Sequence, residues 1–350
     1  MWIHQIEFSM TINRTPVSIV IPTYNRANVL PRAVLSAVSQ CTDRDEIIIV
    51  DDGSSDDTEG CLEPFRHRIH YIRVPNGGAG RARNLGVRQA RNEYVAFLDS
   101  DDEWMPGKLN LQCALMDARP EILFCFSNTG VRFSWGTEIH RYLAHRYKDA
   151  RVGERILGNG VPFSALAELP PGGGDFPVHI GSLYVAEMGE SHVLTSSLMV
   201  RRESAGDALW FAEDLPTYED WECFGRLARQ GPAAYLDCDT TWFYSHEGPQ
   251  LTDANASTAA AARIAVLTRV WGQDSDYLAD HGEDYQRVLR EQRMILIRNF
   301  LVLAQPREAR KQLRELSGAP FFYRLMAGMP APVLRGLIRV LRTVKIVASE

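Results

Sequence analysis

Three carboxylates, Asp99, Asp101 and Asp102, stand at the end of an apolar run of strand type, residues 94–98. Acids this close repel one another, and a bound divalent cation relieves the repulsion. Hard cations such as Mg²⁺ or Mn²⁺ take one or two protein carboxylates and fill their remaining positions with water and substrate phosphates. A solvated acidic turn is the competing reading of this segment taken alone. A second apolar run, residues 46–50, also ends in acids, Asp51 and Asp52. A third acidic group, Glu219 and Asp220, heads a segment in which Trp221, Phe224 and Leu227 recur at helical spacing. Thr217 reads there as an N-cap, and acids in a first helical turn favour the macrodipole. A helix N-terminus also keeps a carboxylate ionised at neutral pH.

The elements that position these acids are legible over the first hundred residues. Apolar runs at 18–22, 46–52, 70–75 and 94–98 alternate with helix-like segments at 29–40, 58–65 and 81–91. Continuous apolar strands alternating with helices predict an α/β fold with a mostly parallel sheet flanked by helices. Ligands bind such sheets beyond the carboxyl ends of the strands. Those ends carry residues 22–25 (Pro-Thr-Tyr-Asn), Asp51 with Asp52, and residues 99–102 (Asp-Ser-Asp-Asp), all expected along one rim. The glycine-rich stretch 76–80 opens a helix, an arrangement that suits an anion. Arg83 adds a guanidinium that pairs well with phosphate or carboxylate. A dinucleotide fingerprint fits poorly, because position 83 is arginine and the stretch follows the third strand rather than the first.

Taken together these residues resemble the family 2 glycosyltransferases, inverting enzymes of the GT-A fold that use nucleotide sugars. The matching text is 17–26 (Val-Ser-Ile-Val-Ile-Pro-Thr-Tyr-Asn-Arg), 49–56 (Ile-Val-Asp-Asp-Gly-Ser-Ser-Asp), 76–86 and 97–104. It weakens in the middle and returns at 195–202 and 218–221. The resemblance implies that Pro22, Tyr24 and Asn25 line a nucleotide pocket, that Asp51 and Asp52 face the base and ribose, and that Arg83 sits near the nucleotide. Asp99, Ser100 and Asp101 correspond to the family's Asp-x-Asp motif. Asp101 is then the direct ligand of Mn²⁺ or Mg²⁺, and Asp99 holds the ribose or a metal-bound water. Trp104 shapes the sugar pocket or simply packs. Asp220 matches the catalytic base, with Glu219 orienting it or touching the acceptor. His246 matches a metal or phosphate contact, and residues 250–252 a loop that closes over the diphosphate.

The same resemblance sets a GT-A domain at 16–253 after an N-terminal extension at 1–15, and the helical spacing of apolar residues beyond it marks a C-terminal helical region at 254–350. Within the GT-A domain, 16–110 forms the nucleotide half and 111–253 the acceptor half. The donor is a nucleotide sugar, UDP-linked by family frequency, and the acceptor is the hydroxyl of a glycan, a lipid-linked sugar or a protein. A net charge of −6 offers no general attraction to nucleic acid. The six cysteines form no Cys-x-x-Cys pair and suit reduced thiols in a cytosol. No apolar run reaches the roughly 18 residues of a spanning helix. The last helical segment, 333–347, places Leu334, Leu337, Ile338, Leu341 and Val344 on one face and basic residues elsewhere. Such a helix lies on the inner face of a membrane as a peripheral contact, or docks on its own domain or on a second subunit of a homodimer. Two other readings compete. A nucleotidyltransferase wants a glycine-rich loop after the first strand, where this chain has none. A degenerate, non-catalytic nucleotide-sugar-binding module would have little reason to keep Asp99, Asp101 and Asp220 together.

Overall fold

The computed structural model describes residues 14–170, 174–245, 255–316 and 318–347, with side chains as far as 340. The chain forms two compact units, residues 1–213 with 223–247 and residues 214–222 with 248–350.

The first unit is built on a sheet of eleven strands. In chain order these are β1 (Val17–Thr23), β2 (Glu46–Asp51), β3 (Ile69–Arg73), β4 (Tyr94–Phe97), β5 (Glu103–Trp104), β6 (Phe124–Phe133), β7 (Glu138–Ile139), β8 (Gly160–Pro162), β9 (Pro177–Gly181), β10 (Met199–Arg201) and β11 (Ala233–Ser245). Their lateral order is β3-β2-β1-β4-β10-β6-β11-β9-β8, with β5 beside β11 and β7 beside β6. The four strands read from the apolar runs are β1 to β4, and they are mutually parallel. β1 and β4 are buried throughout, which is why their sequences run apolar without alternation. The reversed strand β10 joins this half to the parallel pair β6 and β11.

The predicted helices appear at Leu30–Val38 and Ala79–Gln89, while the segment from 58 splits into a short helix, Thr58–Cys61, and a 3₁₀ turn, Glu63–Phe65. Pro64 accounts for the break, since it lacks the amide hydrogen an α-helix needs there. The helix Glu219–Gln230 buries Trp221, Phe224 and Leu227 as its spacing predicts. It begins at Glu219 rather than after Thr217, and the residue before it, Tyr218, is left-handed with φ +62°.

The second unit carries the helices Ala256–Val270, Ser275–Val302, Pro306–Arg314, Phe321–Gly328 and Ala331–Val347. Asn255 caps the first of these, its side-chain oxygen accepting the amides of Ser257 and Thr258. In the last helix Leu334 is fully buried, and Leu337 and Ile338 pack on the core formed with Ile297, Leu301 and Ala309. Leu334, Leu337 and Ile338 therefore dock on their own unit, while the side chains of Leu341 and Val344 lie outside the described residues.

Candidate functional site

Parallel register places three strand ends side by side. Thr23 pairs with Asp51 across β1 and β2, and Val20 pairs with Phe97 across β1 and β4. The turns that follow are stitched together by side chains. Asn25, left-handed at φ +52°, donates its amide to the Ser54 hydroxyl at 2.8 Å and accepts from the Ser55 amide at 2.7 Å. Asn25 thus holds the end of β1 against the end of β2. Tyr24 beside it is 48% exposed, so its ring is free of the core and open to a flat ligand group. Pro22 lies buried in β1 opposite Val50.

Asp51 and Asp52 are both buried, and both are engaged within the protein. Asp51 accepts from the Ser54 amide at 2.8 Å and the Tyr71 hydroxyl at 2.5 Å. Asp52 accepts from the Gly77 amide with one oxygen and from the Gly78 amide with the other, each at 2.8 Å. The anion held by the glycine-rich stretch is thus the Asp52 carboxylate. Asp52 is pushed above the usual carboxylate range by burial and the nearby Asp51, although the two glycine amides and Arg81 oppose the shift. Glycine is required at 53, where φ is +82° and a β-carbon would lie 2.9 Å from the Asn76 nitrogen.

The acids after β4 take three different environments. Asp99 accepts from Arg83 at 2.7 Å, and Arg83 is itself buried with Phe211 beneath its guanidinium at 5.2 Å. Asp101 lies 3.6 Å from Arg26, and its backbone carbonyl accepts from Arg32 at 2.6 Å. Arg32 in turn lies 3.5 Å over the Tyr244 ring, fixing this turn against β11. Asp102 points inward, buried, and accepts from the Ser196 hydroxyl at 2.5 Å. Burial first, then the charges of Asp101 and Asp99, push its carboxyl well above the usual range. Repulsion among the three acids is therefore relieved in part by arginine pairing and by the burial of Asp102, and only Asp99 and Asp101 remain at the surface, their side chains 30% and 24% exposed. Ser100 between them is buried.

Ser196 is the residue that sequence reasoning passed over. Its hydroxyl accepts the Asp99 amide at 3.0 Å while donating to Asp102, and its carbonyl accepts the Trp104 indole N–H at 2.8 Å. It holds the acidic turn from below. The only sign of this in the sequence is the polar trio 195–197 entering an apolar strand. Trp104 is 2% exposed with its N–H engaged and Lys108 4.4 Å over its ring, so it packs the core under the turn rather than lining an open pocket.

Glu219 and Asp220 occupy the first turn of their helix, with Asp220 accepting the Trp221 amide at 2.7 Å. His246 and residues 250–252 lie outside the described residues.

No group of three or more His, Cys, Asp or Glu able to hold a metal occurs among the described residues. The rim supplies two surface carboxylates, Asp99 and Asp101. That set fits an Mg²⁺ or Mn²⁺ ion whose coordination shell is completed by water and a diphosphate, the usual way such ions are held.

Residues 18–166 match the family model described as Glycosyl transferase family 2. This segment is a family 2 glycosyltransferase module. Among curated proteins, the Escherichia coli UDP-Glc:alpha-D-GlcNAc-diphosphoundecaprenol beta-1,3-glucosyltransferase WfaP is 38% identical over 115 residues, 32% of this chain and 45% of WfaP. The chain spans between 16% and 54% of the length of the curated relatives it matches. Among solved structures, S. aureus TarS 1-349 in complex with UDP-GlcNAc aligns with a TM-score of 0.58 at 17% identity, covering 94% of this chain and 87% of that one. The mannosyltransferase PcManGT of Pyrobaculum calidifontis, in complex with GDP-Man and Mn²⁺, aligns at 0.53 with 16% identity, covering 97% and 82%. At these identities the likeness is one of fold, and the fold is GT-A.

Proposed function

We propose that this protein transfers a sugar from a nucleoside-diphosphate sugar to an acceptor hydroxyl, with inversion at the anomeric carbon. The observation that carries the reading is the convergence of Tyr24, Asp99 and Asp101 at adjoining strand ends, inside a segment of family 2 sequence.

Tyr24 offers an exposed ring for the base. Asp51 and Asp52 act one step back from the ligand, because their oxygens are spent on the turns that shape the pocket. Asp101 is the proposed cation ligand, assisted by Asp99, and Arg83 holds Asp99 in place. A divalent cation bound there would neutralise the charge that develops on the departing diphosphate. Arg26, now facing Asp101, is placed to shift onto a phosphate oxygen as the nucleotide arrives. Asp220 is the proposed base. It takes the proton of the acceptor hydroxyl as that oxygen attacks, help worth about 10²–10⁴-fold in rate. His246 is retained in the proposal as a diphosphate or metal contact. The proposed acceptor is a glycan hydroxyl in cell-envelope assembly, lipid-linked or polymeric, a class suggested by the name WfaP carries.

The test is a thermal-shift screen of UDP, GDP and dTDP with and without Mn²⁺, followed by nucleotide release from the matching sugar nucleotides. Ligand at about 100 times its dissociation constant adds about 2.7 kcal/mol of apparent stability. Selective, Mn²⁺-dependent stabilisation with turnover supports the reading. Binding without turnover on any acceptor preparation leaves a nucleotide-sugar-binding module, and no stabilisation by any of the three rejects both.

A further inference from the structure

The second unit has a charge and surface pattern that sugar transfer does not use. Between residues 306 and 339 the sequence holds seven basic and two acidic side chains, although the chain as a whole is at −6. The helix Pro306–Arg314 places Arg310 and Arg314 one turn apart, and Arg324 approaches from the helix Phe321–Gly328. These three arginines, with Leu313, Glu315 and Leu316, line an open cleft of about 630 Å³. Glu315, the one acid in it, is paired with Arg293 at 3.6 Å. Arg310 donates to the Ala327 carbonyl, which fixes one guanidinium at the cleft wall. Among the described residues none of the three cleft arginines has a carboxylate within ion-pair distance.

Beside the cleft the same helix turns large apolar side chains to solvent. Phe321 is 78% exposed, Phe322 54% and Leu325 51%, and Val333 at the start of the next helix is 57% exposed. Four large apolar groups exposed next to unpaired guanidinium groups is a costly surface in water and a favourable one at a bilayer interface. There the rings enter the headgroup boundary and the arginines meet lipid phosphates. Guanidinium–phosphate pairs are commonly bidentate, and a cleft presenting three of them has the chemistry of a headgroup site.

We infer that this face docks on an anionic phospholipid surface, with a lipid phosphate held among Arg310, Arg314 and Arg324 and with Phe321, Phe322 and Leu325 inserted beside it. The contact differs from the one the sequence pointed to, since it uses the helices Pro306–Arg314 and Phe321–Gly328, whereas Leu334, Leu337 and Ile338 of the last helix pack on the core of their own unit. It also stands apart from the sugar-transfer reading, because its readout needs no turnover.

The experiment is flotation of the full-length protein with vesicles of phosphatidylcholine alone and of phosphatidylcholine mixed with phosphatidylglycerol. Two double variants are compared, Arg314→Gln with Arg324→Gln, and Phe321→Ser with Phe322→Ser. All four side chains are exposed, so unchanged unfolding midpoints are expected and serve as the folding control. Wild type should float with the anionic vesicles and not with the neutral ones. At about fivefold per arginine near a charged surface, the arginine pair should weaken binding by roughly 30-fold. The phenylalanine pair should also reduce the bound fraction. Wild type that stays at the bottom, floats equally with neutral vesicles, or is matched by either double variant overturns the proposal. So does inorganic phosphate raising the unfolding midpoint through Arg314 and Arg324 without any vesicle binding, which would mark a site for free anions. A dimer in solution that is lost in the phenylalanine pair, with no vesicle binding, would mark a second copy of the chain as the occupant and equally overturn it.

Discussion

Replacement of Ser196 by alanine is the sharpest structural perturbation of the acidic turn. The hydroxyl makes two hydrogen bonds, one from the Asp99 amide at 3.0 Å and one to the buried Asp102 carboxyl at 2.5 Å. Alanine removes both and supplies neither. The Asp99 amide left without an acceptor costs about 1–3 kcal/mol, and the hydroxyl bond to the Asp102 carboxyl contributes about 0.5–1.5 kcal/mol net. Allowing for relaxation and an entering water, Ser196→Ala should lose about 2–4 kcal/mol. In a domain of this size each kcal/mol lowers the midpoint by about 2–4 °C, so a fall of roughly 5–15 °C is expected. The neighbouring Ser197 provides the control. Its hydroxyl makes a single bond, to the Leu194 carbonyl at 2.8 Å, so Ser197→Ala should cost no more than about 1.5 kcal/mol. Both variants are to be unfolded in urea with chelator present, so that no metal contributes. Because the amide of Asp99 also loses its anchor, nucleotide affinity with Mn²⁺ should drop by about tenfold in Ser196→Ala, a loss of roughly 1.4 kcal/mol. If the two serine variants lose equal and small amounts, the idea that Ser196 holds the turn is wrong.

Three further outcomes follow from the same geometry. Asp52→Asn keeps one acceptor and turns an amide NH₂ toward the second glycine N–H, so it should cost about 1.5–3 kcal/mol; urea midpoints equal to wild type would show that the Gly77 and Gly78 amides are not held this way. Lys108 is fully buried and burial brings it from 10.5 down to about 7. Between those two values the unfolded chain holds the proton and the folded chain does not, so stability should rise with pH across that window, by at most about 1.4 kcal/mol per pH unit. Lys108→Met should flatten that rise, and an unchanged slope between pH 7 and 10 would show that Lys108 is not its source. Asp220→Asn should retain nucleotide binding and lose transfer by about 10²-fold or more, whereas transfer at the wild-type rate would remove Asp220 from the base role.

What the sequence disclosed follows from the strength of each local signal. The runs that became β1, β2 and β4 are buried on both faces, so their apolar continuity and the acids that end them were readable without a structure. The helix at 219–230 was readable because Trp221, Phe224 and Leu227 repeat at its period. The region 130–189 was opaque because its strands β7, β8 and β9 are two to five residues long and its helices six or fewer, too short to show a period. Within the site, residue types pointed to the rim but not to their partners. Asp52 read as a ligand contact, yet its carboxylate faces the glycine amides that seemed built for a phosphate. Ser196 meets Asp102 across 94 residues of chain, a pairing no local pattern carries. The last helix showed an apolar stripe, and whether that stripe meets a membrane or its own core depends on the helices that precede it.

The central claim is that Asp101 binds a divalent cation beneath the diphosphate of a bound nucleotide. It is tested most directly by calorimetric titration of UDP, or of the nucleotide selected by the thermal-shift screen, into wild type and Asp101→Ala with and without Mn²⁺. The account predicts that Mn²⁺ tightens nucleotide binding to wild type by at least about tenfold, a gain of roughly 1.4 kcal/mol, and that it leaves Asp101→Ala unaffected. Equal tightening by Mn²⁺ in both proteins would contradict it.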